Sequence, residues 1–273
     1  MENQSEIENR DPQSTSLMIA LPEGCIAAII SFTSPRDACR LACVSTTFRS
    51  AADSDTVWDS FLPPEYVSAI SESECFSSSS SKKELYLRAC HNPVLINGGK
   101  LSFWLDKPSG KKCYMISPEE LKIVWGDTPR YYKWVSLPEA RFPEVAELRM
   151  VCWFEIRCEI SISLLSSMTT YVAYLVFKKA LDGATGFEDS PVEVAVGLGD
   201  SDGQKRNIYL DAGSDHGSFA KKRGDGWFES ELGVYVSGCD EDGELSISIL
   251  ETESGMWKGN LIFQGIEMRP KKE

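Results

Sequence analysis

The chain has 273 residues, 42% of them hydrophobic and 25% charged, a composition that folds as one large domain or as a small and a medium one. Asp and Glu number 41 against 28 Lys and Arg, for a formal charge of -13. That balance argues against a protein working mainly on nucleic-acid backbones or anionic membranes, since both reward clustered Lys and Arg.

Residues 1–16 read as a flexible N-terminus, and the polar, acidic Met1–Asp11 is unlike a signal or transit peptide. From 17 to 64 the text is helical. Pro22 opens a segment whose Cys25, Ile26, Ile29 and Ile30 recur at helical spacing. Ser34-Pro35-Arg36-Asp37 is a start signal, with a hydroxyl at the cap, proline in the first turn and an acid three residues on. Ala38, Leu41 and Ala42 follow as a second apolar stripe. Ser45 caps a third segment with Phe48, Ala51 and Ala52, and Val57, Trp58, Phe61 and Leu62 close the unit. Three short helices bury little core alone, so this unit is expected to lean on a partner or on the rest of the chain.

The spacing of Leu21-Pro22-Glu23, Ile29-Ile30, Ser34-Pro35-Arg36-Asp37, Val44-Ser45, Phe48 and Trp58 resembles an F-box. The resemblance implies a three-helix hook that docks on the Skp-type adaptor of a cullin complex. It implies docking chiefly through Leu21, Pro22, Ile26, Ile29, Ile30, Leu41, Val44 and Trp58. A helical cap packed on the rest of the chain is the plainer alternative.

Residues 65–92 read as a linker. Ser71–Ser81 is a serine tract with too little apolar area to pack, and Glu84–Arg88 could form a short helix. Beyond it, over 93–271, the period changes. Leu245, Ile247 and Ile249 alternate with serines as on a half-buried strand. Tyr171–Phe177 is continuously apolar, as for a strand covered on both faces. Leu101–Leu105, Val151–Ile156, Val192–Leu198 and Leu261–Ile266 are further strands, with Asp200–Gly203 and Asp240–Gly243 as turns. The expected fold is mostly β: an antiparallel, jelly-roll-like sandwich behind the small helical unit.

Six segments in order, Ser102–Asp106, Ile123–Asp127, Glu144–Leu148, Tyr174–Lys178, Asp225–Glu229 and Gly265–Pro270, resemble the plant phloem-lectin family, also called Nictaba-like or phloem-protein-two-like. An F-box followed by such a domain is a known plant arrangement. The resemblance implies metal-free binding of oligosaccharides of the N-glycan or N-acetyllactosamine kind. A sugar site needs an exposed aromatic plane and fixed hydrogen-bonding groups, and the segment Trp125–Trp134 offers both, through Trp125, Tyr132 and Trp134 around an exposed turn. The lectins carry Trp where this chain has Tyr132, a smaller stacking face. Trp134 is equally readable as core, and core is the default for Trp104, Trp153, Trp227 and Trp257.

Other chemistry is thinly supported. Nine Cys, an odd number without a CxxC pair, and two distant histidines, His91 and His216, suggest neither a disulfide framework nor a metal site. Reduced thiols inside the cell are expected, without cofactor or metal. Glu144, Glu147 and Glu155 could be paired for glycosidase work, but a chain with 41 acids always offers such pairs. Cys90 and His91 are adjacent, which on a strand would point them apart. Lys221-Lys222-Arg223 reads as a solvated turn rather than a nuclear-import patch. No apolar run approaches the roughly 20 residues of a membrane helix.

The expectation is a non-catalytic substrate receptor of a ubiquitin ligase, in nucleus and cytoplasm. Its sandwich would capture glycosylated or other protein targets, with no nucleic-acid or membrane partner. The alternatives are a sandwich that binds protein targets directly, its sugar site decayed, or a stand-alone intracellular lectin.

Overall fold

The computed structural model describes residues 21–71, 81–180, 183–188, 190–199, 204–211, 220–239 and 242–272. Residues 1–16, expected as a flexible N-terminus, most of the serine tract, the expected turn at Asp200–Gly203 and Asp240–Glu241 therefore lie outside the described residues. The chain divides into two compact units: Met1–Pro63 with Ser77–Leu87 and Lys107–Gly110, and Pro64–Phe76 with Arg88–Asp106 and Lys111–Glu273.

Among the described residues the first unit is built from α1 (Glu23–Ile30), α2 (Pro35–Leu41), α3 (Thr46–Ala52), α4 (Asp55–Ser60) and the first part of the helix Lys82–His91; residues 21–63 of that unit hold four helices where three were expected. Ser54 stands in extended backbone between α3 and α4, so Val57 and Trp58, expected only to close the unit, fall on a helix of their own. The caps behave as their chemistry requires. Ser34 Oγ accepts the Asp37 N–H at 3.1 Å and donates to Asp37 Oδ2 at 2.8 Å, while Ser45 Oγ accepts the Phe48 N–H at 3.2 Å. Ile26, Ala27, Ile30, Ala38, Ala51, Ala52 and Val57 form the core with Trp58. The Trp58 Nε1–H donates to Ala52 O at 2.7 Å, and its ring lies 5.2 Å from Tyr86 and 5.7 Å from Phe61.

The second unit contains α5 (Pro64–Ser71), the end of α6 (Lys82–His91) and two antiparallel sheets. The larger sheet runs β1 (Val94–Ile96), β2 (Leu101–Leu105), β3 (Lys112–Ile116), β14 (Lys258–Pro270), β8 (Thr169–Lys179), β12 (Phe228–Ser237), β11 (Lys221–Lys222). The smaller one runs β10 (Arg206–Ile208), β9 (Val192–Leu198), β13 (Glu244–Glu251), β7 (Phe154–Ser161), β4 (Lys122–Ile123). The long β14 pairs with β8 along one side. On its other side it pairs first with β6 (Val145–Val151), which also carries β5 (Tyr132–Val135), and then with β3. The partner changes next to a register shift between Phe263 and Gly265. Gly265 there has φ +141°, and a Cβ would stand 2.0 Å from Ile116 O, so only glycine fits.

The sheets face each other through Phe154 on β7 and Phe263 on β14, whose ring centroids are 5.7 Å apart. Tyr171–Phe177 is covered on both faces, as its unbroken apolar run requires. Tyr171, Ala173, Leu175 and Phe177 lie on one face, and Val176 on the other packs with Met115, Phe142, Val145 and Trp227. That second face also holds a charged knot. Glu267, 1% exposed, meets Arg223 at 3.0 Å and Arg269 at 2.8 Å, and Arg269 also reaches Glu229 at 2.6 Å. The knot ties down Arg223, so the basic triplet 221–223 is a strand end rather than a free turn.

Val151–Ile156 is not one strand. β6 ends at Val151 in the larger sheet and β7 begins at Phe154 in the smaller, with Cys152 and Trp153 forming the crossing between them. The crossing loop explains why Trp153, expected in the core, is exposed. Trp257, just before β14, is exposed as well, whereas Trp227 is buried and Trp104 half-buried beneath Arg141.

Candidate functional site

In the first unit the apolar residues of 21–58 divide into two sets. Ile26, Ile30 and Trp58 are at most 2% exposed. They hold the hook together and present no face to a partner, which corrects their expected role as docking contacts. Pro22, Ile29 and Val44 are exposed and Leu21 and Leu41 half-buried. Phe32, which lies off the helical apolar stripe, is 91% exposed. Burial of half the α1 stripe, with Cys25 and Ile29 left in water, gives the unit more apolar surface than its own core uses. Asp37 is held below the usual carboxylate range by the Ser34 hydroxyl and then by Arg40, so the cap of α2 is charged at neutral pH.

In the second unit the loop before β5 carries the expected aromatic site. Trp125 is 51% exposed and has φ +63°, a left-handed backbone that turns its indole outward. Gly126 follows under it, and the Trp134 Nε1–H donates to Gly126 O at 3.0 Å. Trp134 is therefore a partly buried brace for the turn. Tyr132 is not part of an exposed site. It lies on the same core-facing side of β5 as Trp134, opposite Leu148, and is 2% exposed. Burial pushes its phenol well above the ordinary range, and its hydroxyl has no hydrogen-bond partner among the described residues. The ring that joins Trp125 is Tyr131, 6.1 Å away at an interplanar angle of 56°. Strand alternation was the available signal: if Tyr132 points inward, Tyr131 points out.

The remaining candidates separate cleanly. Glu155 accepts from Arg157 and from the Trp153 indole, and these bonds hold its carboxyl below the usual range, opposite to what a proton-donating acid needs. Cys90 and His91 end a helix rather than occupying a strand. Among the described residues no group of three or more His, Cys, Asp or Glu could hold a metal ion. No helix among them is long and apolar enough to cross a membrane.

Comparison with known proteins agrees with this division. The phloem protein 2 family matches residues 111–270 and the F-box domain matches residues 18–60. The chain is 51% identical to the putative F-box protein PP2-B12 of Arabidopsis thaliana over 253 residues, covering 92% of this chain and 97% of that protein. It is 50% identical to the putative F-box protein PP2-B2 of Arabidopsis thaliana, covering 94% and 84%. It is 41% identical to the F-box protein SKIP3 of Arabidopsis thaliana, covering 97% and 92%. Among solved structures a Podospora anserina mannanase is a distant likeness, with a TM-score of 0.36 and 12% identity over 59% of this chain and 28% of that one. With both regions matched and half of its residues shared with such relatives, the chain belongs to the phloem protein 2 family and carries an F-box domain.

Proposed function

We propose that this protein is the substrate-recognition subunit of a cullin-based ubiquitin ligase. Its F-box docks on a Skp-type adaptor, and its sandwich captures the protein to be modified. The observation that carries the docking half is the surplus apolar surface of the first unit, Ile29, Phe32 and Val44, which lie in water on a hook whose core is already filled. The subunit does no bond chemistry. It raises the effective concentration of target lysines near a ubiquitin-loaded enzyme.

On the sandwich, Trp125 and Tyr131 offer an aromatic surface on a braced turn, suited to the C–H face of a sugar ring. One ring buries little area, so binding of a single sugar is weak and a larger glycan on the target is favoured. Co-purification of the full chain with a recombinant Skp-type adaptor tests the first half. A glycan array, with Trp125→Ala as control, tests the second. The inward turn of Tyr132 favours a second reading, in which the sandwich grips its target through protein contacts. A blank array beside a stable protein target decides for that reading.

A further inference from the structure

Trp153 stands where the chain crosses from one sheet to the other and is 48% exposed. Holding a surface side chain in one rotamer costs entropy, yet this one is held. Its Nε1–H donates to Glu155 Oε2 at 2.8 Å, and the other oxygen of that carboxylate accepts the Arg157 Nε–H at 2.7 Å. The Glu155 side chain is only 16% exposed, whereas Arg157, at 46%, reaches solvent. An indole plane is thus fixed in the open, with a carboxylate and a guanidinium at its rim.

The pairing of β4 with β7 sets its neighbour. Ile123 lies opposite Ile156, and the Val124 N–H donates to Glu155 O at 3.1 Å. The next residue is Trp125, so the Trp125 turn begins directly alongside the Trp153 corner.

We propose that Trp153, oriented by Glu155 and Arg157, is a second sugar-stacking platform, so that an uncharged oligosaccharide lies across Trp125 and Trp153 together. This rests on the reading of Trp125 as a sugar platform. The rim chemistry selects the occupant. A hydroxylated ring can donate to Glu155 and accept from Arg157 while its C–H face lies on the indole; an aliphatic side chain would desolvate both charged groups and satisfy neither. A carboxylate already bonded on both oxygens, with free lone pairs left, orients a hydroxyl without itself moving.

The test is calorimetric titration of the full chain with the dimer and the pentamer of β-1,4-linked N-acetylglucosamine. The native protein binds the pentamer more tightly than the dimer. Trp153→Ala binds the dimer as the native protein does but loses the gain with length, about tenfold on the pentamer. Trp153→Phe restores most of that gain, and Glu155→Gln, which leaves one acceptor oxygen for the Trp153 and Arg157 donors together, loses part of it. Trp125→Ala binds neither oligomer. Melting curves accompany each variant; should Trp153→Ala fail to fold, Glu155→Gln and Trp153→Phe carry the comparison. If Trp153→Ala and Glu155→Gln bind both oligomers as the native protein does while Trp125→Ala binds none, the second platform is wrong and the Trp125 site stands. If the native chain binds neither oligomer, the sugar reading itself fails and this proposal fails with it.

Discussion

Replacing Ile29, Phe32 and Val44 together by serine separates docking from folding. These side chains are 48%, 91% and 65% exposed, so the folded chain already leaves most of their surface in water. Fully burying a side chain of this kind is worth about 1.5–3 kcal/mol, which scaled by exposure gives about 1, 2 and 1.5 kcal/mol on docking. Interface area converts incompletely into affinity, so the triple variant should lose about 3 kcal/mol, or about 100-fold, against a recombinant Skp-type adaptor. Its stability should change little, by about 0.5 kcal/mol per site at most. Trp58→Ala is the opposite case. Its ring is 2% exposed, packs on Tyr86 and Phe61 and donates to Ala52 O, so its loss should cost about 3–5 kcal/mol of folding stability. Calorimetric titration gives the affinity and thermal denaturation the stability. Native affinity in the triple variant would refute the docking face, and a large drop in its melting temperature would refute the division into core and surface.

Four further outcomes are expected. Tyr132→Phe removes a buried hydroxyl that has no partner among the described residues, so stability should hold or rise by about 1 kcal/mol in chemical denaturation; a loss of similar size would mean the hydroxyl is bonded. Gly265→Ala places a methyl against Ile116 O in a backbone only glycine favours, and should cost at least about 2 kcal/mol, so a native melting curve contradicts the packing. Lys258, fully buried, pairs with Glu251 and donates to Met256 O, holding the loop that bears Trp257. Lys258→Met should cost about 3 kcal/mol by stranding a buried carboxylate, and adding Glu251→Leu should recover much of it; the reverse order of stabilities argues against a buried pair. Glu155 titrates below the ordinary carboxylate range, chiefly because of Arg157 and then Trp153. The ionised clamp therefore contributes stability above about pH 4.3, the unfolded value, and loses it only as pH falls through the lower folded value. Indole fluorescence should stay flat from neutrality to about pH 5 and shift only below about pH 4; a transition near pH 6 would contradict the bond network.

The regular parts of the fold were legible where one signal dominated. Leu101–Leu105 and Val192–Leu198 match their strands residue for residue, because alternation and flanking turn residues agree. The capped starts at Ser34 and Ser45 were readable for the same reason. The crossing at Cys152–Trp153 was not, since apolar text runs through it without Gly or Pro to mark a break. That single misreading also hid Trp153. The charged knot around Glu267 draws on Arg223, Glu229 and Arg269, and no local pattern announces a contact with Arg223, 44 residues away. On the hook, helical periodicity found the stripe Ile26–Ile30 but could not say which half of it the unit's own core would claim, because that depends on where Trp58 and Ala51 arrive.

Hydrogen exchange of the full chain with and without a recombinant Skp-type adaptor tests the central claim most directly. New protection confined to the segment from α1 through Val44, with the sandwich strands unchanged, is the predicted result. Absence of any complex, or protection that falls on the sandwich instead, would contradict it.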